Sequence, residues 1–134
     1  DLPGSKLVIG DGPARTALER AYGNHATFVG YKMGEELVSM LACADVAVFP
    51  SRTETFGLTI IEALACGIPV AAFDASGSRD IISSGLDGVI DSDLKRAALA
   101  CLSLSKDACR KKAEHYSWET ETDKFMRHQQ PLHL

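Results

Sequence analysis

Two glutamates, Glu54 and Glu62, bracket Gly57 in the segment Pro50-Ser-Arg-Thr-Glu-Thr-Phe-Gly-Leu-Thr-Ile-Ile-Glu-Ala-Leu-Ala-Cys-Gly-Ile-Pro-Val70. Carboxylates can hold hydroxyl groups, and a glycine lets a ligand come close to the main chain. If a helix opens near Phe56 and Gly57, its first N–H groups have no intrahelical partners, and its dipole places roughly half a positive charge there. Such a site suits a ligand that carries both phosphate and hydroxyls. The same residues also suit an ordinary strand-to-helix turn, and Glu54 would then be an acid favourably placed near a helix start, worth about 0.3–1 kcal/mol. Thr59-Ile-Ile-Glu62 matches a capping box, in which the glutamate only reaches back to a backbone N–H. A helix beginning after Thr59 would cover only residues 60–66 and leave Phe56 and Leu58 in a loop. The earlier start is therefore expected, with Glu62 one to two turns inside. Flanked by Ile60, Ile61, Ala63 and Leu64, that carboxylate is expected to be at least partly buried, where it needs a partner.

The elements around this segment alternate. Residues 46–49 are an apolar run of strand length ended by Pro50-Ser51, and Gly67 suits a helix C-cap with Pro69 forbidding continuation. Residues 69–73 form the next strand, apolar throughout, as in a parallel sheet covered on both faces. Upstream, a strand at 6–10 leads through Asp11-Gly12-Pro13, with the proline at the first helical position, into a helix over about 14–22. A strand at 26–29, a loop at 30–33 and a helix at 34–43 follow. Downstream come a short helix at 79–84, a strand at 88–90, and helices over 93–104, 107–116 after a Ser105 cap, and 118–127 after Ser117. The order predicts an α/β fold, a Rossmann-like doubly wound parallel sheet with C-terminal helices.

The chain has 134 residues, 46% hydrophobic and 24% charged, which suits one sheet-centred core. A net charge of −4 without a Lys/Arg cluster argues against nucleic-acid binding. No apolar run approaches the roughly 18 residues of a membrane helix and no signal peptide opens the chain, so a cytoplasmic protein is expected. Cys43, Cys66, Cys101 and Cys109 lack metal-ligand spacing and read as reduced, buried thiols. His25, His115, His128 and His133 read as surface or helix-packing residues.

With Val8-Ile-Gly-Asp-Gly-Pro13, Phe28-Val-Gly30, Ala44-Asp-Val46 and Tyr116-Ser-Trp118, the Glu54-x7-Glu62 segment resembles the signature of retaining, nucleotide-sugar-dependent glycosyltransferases of the GT-B fold. Residues 108–110 and 115–118 look most like a bacterial GDP-mannose-dependent α-mannosyltransferase group. The resemblance implies that Glu54 lies beside the donor sugar as the catalytic-site carboxylate and that Glu62 binds the ribose hydroxyls. It further implies that Phe56, Gly57, Leu58 and Thr59 meet the diphosphate and sugar, that Tyr31, Lys32 and Met33 lie near the base, and that Gly10 and Gly12 form a glycine turn at the cleft. The implied reaction transfers a hexose, of mannose or glucose type, from GDP-mannose or a UDP- or ADP-hexose, with retention and without metal or other cofactor. A non-catalytic nucleotide-sugar-binding module and a nucleotide-sugar epimerase of similar fold are the alternatives.

In such enzymes the cleft lies between two Rossmann-like domains, and residues 1–134 match only the C-terminal, nucleotide-sugar-binding one. The N-terminal acceptor domain of the same enzyme is the expected partner, and any contact with the inner membrane would run through it. The chain alone is expected to be inactive. The match also lacks that domain's first strand, together with an arginine and a lysine that help hold the diphosphate; Arg52 is not at their place, and Arg79 is at most a helper. In strand order 3-2-1-4-5-6 that first strand is central. Either its neighbours pair directly, another chain supplies a strand, or the fold is weakened.

Overall fold

A computed structural model describes residues 2–53 and 56–128, the last by its backbone alone. Strands and helices alternate as β1 (Leu7–Ile9), α1 (Arg15–Tyr22), β2 (Thr27–Gly30), α2 (Gly34–Ala42), β3 (Ala47–Phe49), α3 (Leu58–Ala65), β4 (Val70–Ala72), α4 (Ser76–Ile81) and β5 (Gly88–Ile90). Then follow α5 (Leu94–Cys101), α6 (Lys106–Ala113), a 3-10 turn (Glu114–Tyr116) and α7 (Trp118–His128). Every strand pairing is parallel, which bears out the Rossmann-like α/β class. The expected single sheet is in two parts, β1-β2 and β3-β4-β5. Two compact units result, Asp1–Met40 and Leu41–Leu134.

In the first unit β1 and β2 pair with a register irregularity between Val8 and Ile9. Leu7, Val8, Leu18, Tyr22 and Val38 are exposed, and α1 and α2 bury no residue. Polar contacts organise the turn between β1 and α1. Asp11 accepts from the Gly12 N–H at 2.8 Å and from Arg15 at 2.8 Å, while Arg15 also donates to Glu19 at 2.9 Å. Those contacts hold the Asp11 carboxyl below its ordinary range, the Gly12 hydrogen bond first and Arg15 second. Gly30 has φ +74°, where a side chain is strained, and a Cβ there would stand 2.7 Å from the Arg15 guanidinium and displace it. Pro13 does not take the first helical position as expected. The helix starts at Arg15 after Ala14, because a tight turn closes first, with the Arg15 N–H donating to the Gly12 carbonyl at 3.0 Å.

The second unit holds the core: Ile60, Ala63, Leu64, Ile68, Val70, Ala72, Ile81, Ile82 and Cys109. β4 is buried at every position, as its continuous apolar run predicted, because β3 and β5 flank it and helices cover it. Helix α3 ends as Gly67 foretold. With φ +76°, Gly67 donates to the Leu64 carbonyl at 2.8 Å while Ile68 donates to that of Ala63 at 2.9 Å, a Schellman closure. Helix α4 starts three residues before the expected 79–84. The buried Ser78 hydroxyl accepts the Ala75 N–H at 3.0 Å and donates to the Phe73 carbonyl at 2.7 Å, fixing the start from inside the helix. Ser105 and Ser117 cap α6 and α7, accepting from Ala108 at 3.4 Å and Thr120 at 3.1 Å.

The C-terminal helices are fastened to this core through motif residues. Arg110 covers Gly67, where a Cβ would stand 2.7 Å from the guanidinium, and Cys109 packs its sulfur 3.6 Å from the Asp87 carbonyl. Lys112 donates to the Ser83 hydroxyl at 3.1 Å, and the Ser83 N–H donates to the fully buried Asp87 carboxylate at 2.9 Å. Tyr116 donates to the Asp80 carbonyl at 3.2 Å. The cysteines are free. Cys101 and Cys109 are buried as expected, and burial pushes the Cys101 thiol up to about 11. Cys43 corrects the expectation, because it lies exposed just beyond the end of α2, and Cys66 is half-buried.

Candidate functional site

The candidate site is organised by the start of α3 at the carboxyl end of β3. Gly57 is its N-cap in the left-handed region, φ 76° and ψ 36°, and its carbonyl accepts from Ile60 at 2.9 Å and Ile61 at 3.1 Å. A Cβ at Gly57 would stand 2.6 Å from Ile81 Cδ1 and 3.3 Å from Ile60 Cδ1, so glycine is required twice, by conformation and by space. The N–H groups of Leu58 and Thr59 belong to the first turn, where no intrahelical acceptor exists. Thr59 is the second helical residue, so the capping box drawn through it is not formed and the earlier helix start holds. Phe56 precedes the helix and Leu58 opens it, and both are more than half exposed rather than part of its apolar stripe.

Glu62 lies in the second turn of α3 and is exposed, contrary to the expectation of burial. The buried stripe is Ile60, Ala63 and Leu64, and at 100° per residue position 62 falls on the opposite face from Ile60. Its carboxylate has no hydrogen-bond or ion-pair partner among the described residues, so no structural bond competes for it. Glu62 stands four residues after Leu58, on the same face of α3 and about 6 Å of rise beyond it. Its charge also reaches Cys66, whose thiol is raised first by burial and then by Glu62. Glu54, the expected catalytic carboxylate, lies outside the described residues, as does His133.

Five further expected residues lie in the first unit. Gly10 has φ +131° and donates to the Gly30 carbonyl at 2.8 Å, while Gly12 is bound by Asp11. Adding a Cβ to either would meet nothing within 4 Å, so the turn leaves open space beside its main chain. Tyr31 and Met33 are exposed by 69% and 67%, an unusual display of apolar surface for one short loop, and Lys32 pairs with Glu36 at 3.4 Å. The structure thus gathers Phe56, Gly57, Leu58, Thr59 and Glu62 in the second unit and Gly10, Gly12, Tyr31, Lys32 and Met33 in the first.

Sequence reading missed two features. Asp91-Ser92-Asp93 has the Asp-x-Asp spacing of a cation-binding acid pair, yet both carboxylates are committed elsewhere. Asp93 caps α5 by accepting from Lys95 at 2.9 Å and Arg96 at 3.2 Å, and Asp91 holds Arg96 at 2.6 Å. The Arg96 hydrogen bonds, followed by that from the Asp93 N–H, bring the Asp91 carboxyl down to about 2. The second is the contact of Arg52 with Phe73, whose ring centroid lies 4.3 Å from the guanidinium carbon. No helix among the described residues is long and apolar enough to cross a membrane.

Comparison with known proteins places this geometry in a family. The family model for glycosyl transferases group 1 matches residues 5–107. The sulfoquinovosyl transferase SQD2 of Arabidopsis thaliana is 34% identical over 96% of this chain and 28% of its own length. A GDP-mannose-dependent alpha-(1-6)-phosphatidylinositol dimannoside mannosyltransferase of Mycobacterium tuberculosis is 34% identical over 86% of this chain and 33% of its own. The chain therefore spans about a third or less of these relatives. Among solved structures, Anabaena Alr3699/HepE in complex with UDP-glucose superposes with a TM-score of 0.74 at 19% identity, over 94% of this chain and 41% of that one. That likeness concerns the fold, a Rossmann-like part of a GT-B enzyme. With three quarters of its length matched by the model and the glycine-started α3 inside the match, the chain belongs to the glycosyl transferases group 1 family.

Proposed function

We propose that residues 1–134 are the C-terminal, nucleotide-sugar-binding domain of a retaining hexosyltransferase, acting with an N-terminal acceptor domain of the same protein. The observation that carries this reading is the pairing of a left-handed Gly57 N-cap with an exposed, uncommitted Glu62 on the same helix, within the family match. Main-chain N–H groups at the start of α3 receive the diphosphate. Glu62 takes the ribose hydroxyls, Glu54 meets the donor sugar, and the exposed Tyr31-Lys32-Met33 loop lies against the base. Departure of the diphosphate builds negative charge, so donors already aimed at it stabilise the transition state more than the ground state. Transfer proceeds on the front face, through an oxocarbenium-like transition state without a protein nucleophile. No metal takes part, and a chelator leaves the rate unchanged. The chain alone binds donor weakly and does not turn over. In the cell the whole protein is cytoplasmic, reaching the inner membrane only through its other half.

GDP-mannose is the favoured donor, supported by the relative named for it, with UDP- and ADP-hexoses as competitors. A thermal-shift screen of the full-length protein separates them, because ligand at about a hundred times its Kd stabilises by about 2.7 kcal/mol. Site roles are read from two variants. Glu62→Ala weakens donor binding by about tenfold or more, whereas Glu54→Ala lowers kcat more than it changes nucleotide affinity. Wild-type kinetics from both variants would refute the assignment.

A further inference from the structure

The strands β3 and β4 run parallel in a register that places Phe49 beside Ala72, so Pro50 and Phe73 are the next residues out at the carboxyl edge of the sheet. From there the loop after β3 sends Arg52 sideways onto the Phe73 ring. A guanidinium lying on a ring is held by its face, while its N–H groups point outward in its own plane and remain available. Arg52 is exposed and makes no hydrogen bond or ion pair with any described residue. Four of the six other arginines are spent: Arg15 on Asp11 and Glu19, Arg79 on Asp74, Arg96 on Asp91 and Arg110 on Asp107. The Arg79 pair also occupies Asp74, the residue that follows Phe73.

The same edge carries the start of α3. Gly57 packs against Ile81 of α4, and a Cβ on it would stand 3.7 Å from the Gly77 carbonyl, so the start of α3 and helix α4, which follows Phe73, form one wall. A diphosphate on that wall carries more negative charge than the roughly half charge of one helix terminus offsets. A planar cation with unspent donors, held in place by a ring, is suited to supply the rest.

We propose that Arg52 is a donor-binding residue of this site, contacting the diphosphate of the nucleotide sugar, with Phe73 as the platform that positions it. The inference rests on the reading of the α3 start as the diphosphate site. Its test is calorimetric titration of the full-length protein with GDP, UDP and ADP, and with the matching monophosphate and nucleoside of whichever binds. Arg52→Gln is expected to weaken the diphosphate by about tenfold to a hundredfold and the nucleoside by less than about threefold, the range of a lost charge-assisted hydrogen bond. Arg52→Lys keeps the charge without the planar fork and recovers part of the loss. Phe73→Leu, which keeps Arg52 and removes its platform, shows a smaller loss of the same selectivity. Unchanged diphosphate affinity in Arg52→Gln, or an equal loss for diphosphate and nucleoside, overturns the role of Arg52 while leaving the α3 site standing. A wild-type protein that binds none of the three diphosphates overturns the site and the Arg52 role together.

Discussion

Residues 1–40 and 41–134 use the same alternation of strand and helix and reach different degrees of burial. In the first unit Leu7 and Val8 of β1 and Leu18 and Tyr22 of α1 remain exposed, and the turn between the two elements is organised by Asp11, Arg15 and Glu19. In the second, β4 is closed off on all sides and α3 presents Ile60, Ala63 and Leu64 to a continuous core. Burial of apolar area is the larger stabilising effect, at about 25 cal/mol per Å², whereas exposed ion pairs contribute about 0–1 kcal/mol each. The candidate phosphate-binding turn at Gly57 thus stands on the well-packed unit, and the loop expected to meet the base stands on the other.

Hydrogen exchange gives the broadest test of that contrast. Amides of β4, such as Ala71, are expected to exchange only through global unfolding, which for a domain of this kind lies at about 5–15 kcal/mol. Amides of β1 and β2 are expected to exchange through local opening several kcal/mol lower. Equal protection in both sheets would break the comparison. Substitution in the core comes next: Leu64→Ala is expected to destabilise by about 2–5 kcal/mol and Leu18→Ala, already 42% exposed in the first unit, by about 0.5 kcal/mol. Denaturant midpoints measure both.

Gly57→Ala sharpens the comparison at the site itself. An alanine there takes the strain of the left-handed region and a 2.6 Å approach to Ile81 Cδ1, together about 1–3 kcal/mol, and shifts the first turn of α3. Loss of stability and of nucleotide affinity are expected together. Gly12→Ala, whose Cβ would meet nothing within 4 Å, is expected to leave stability nearly unchanged. The smallest effect concerns acid. Asp91 titrates at about 2 instead of the ordinary 3.8, so its contribution is fully present above about 3.8 and disappears as pH falls toward 2. Stability measured between pH 5 and 2 should fall slightly less steeply in Asp91→Asn, and an unchanged slope would remove Asp91 from the acid response.

Much of the helix that carries the site was legible. Gly67 and Pro69 fixed its end, and counting back from them excluded a start at Thr59, so Glu62 had to lie inside. Its exposure was not legible. Leu58, Ile60, Ile61, Ala63, Leu64 and Ala65 put apolar side chains all around α3, and which stripe is buried depends on what packs against it. The start of α4 was hidden for a related reason. Ser76-Gly-Ser78 reads as a loop by composition, and the buried hydroxyl of Ser78, bonded to the Phe73 carbonyl and the Ala75 N–H, holds it at a helix start.

By itself the sequence determined the local conformations: where glycines turn the chain, where serines cap helices, and which runs are apolar enough to be strands. These follow from forces acting within a few residues, the φ freedom of glycine and the reach of a capping hydroxyl. Only the tertiary structure decided that Glu62 faces outward, that Asp74 is spent on Arg79, that Arg52 lies over Phe73, and that the sheet divides between β1–β2 and β3–β4–β5. Those outcomes join residues far apart in sequence, and they are fixed by which surfaces find apolar cover and which charges find a partner.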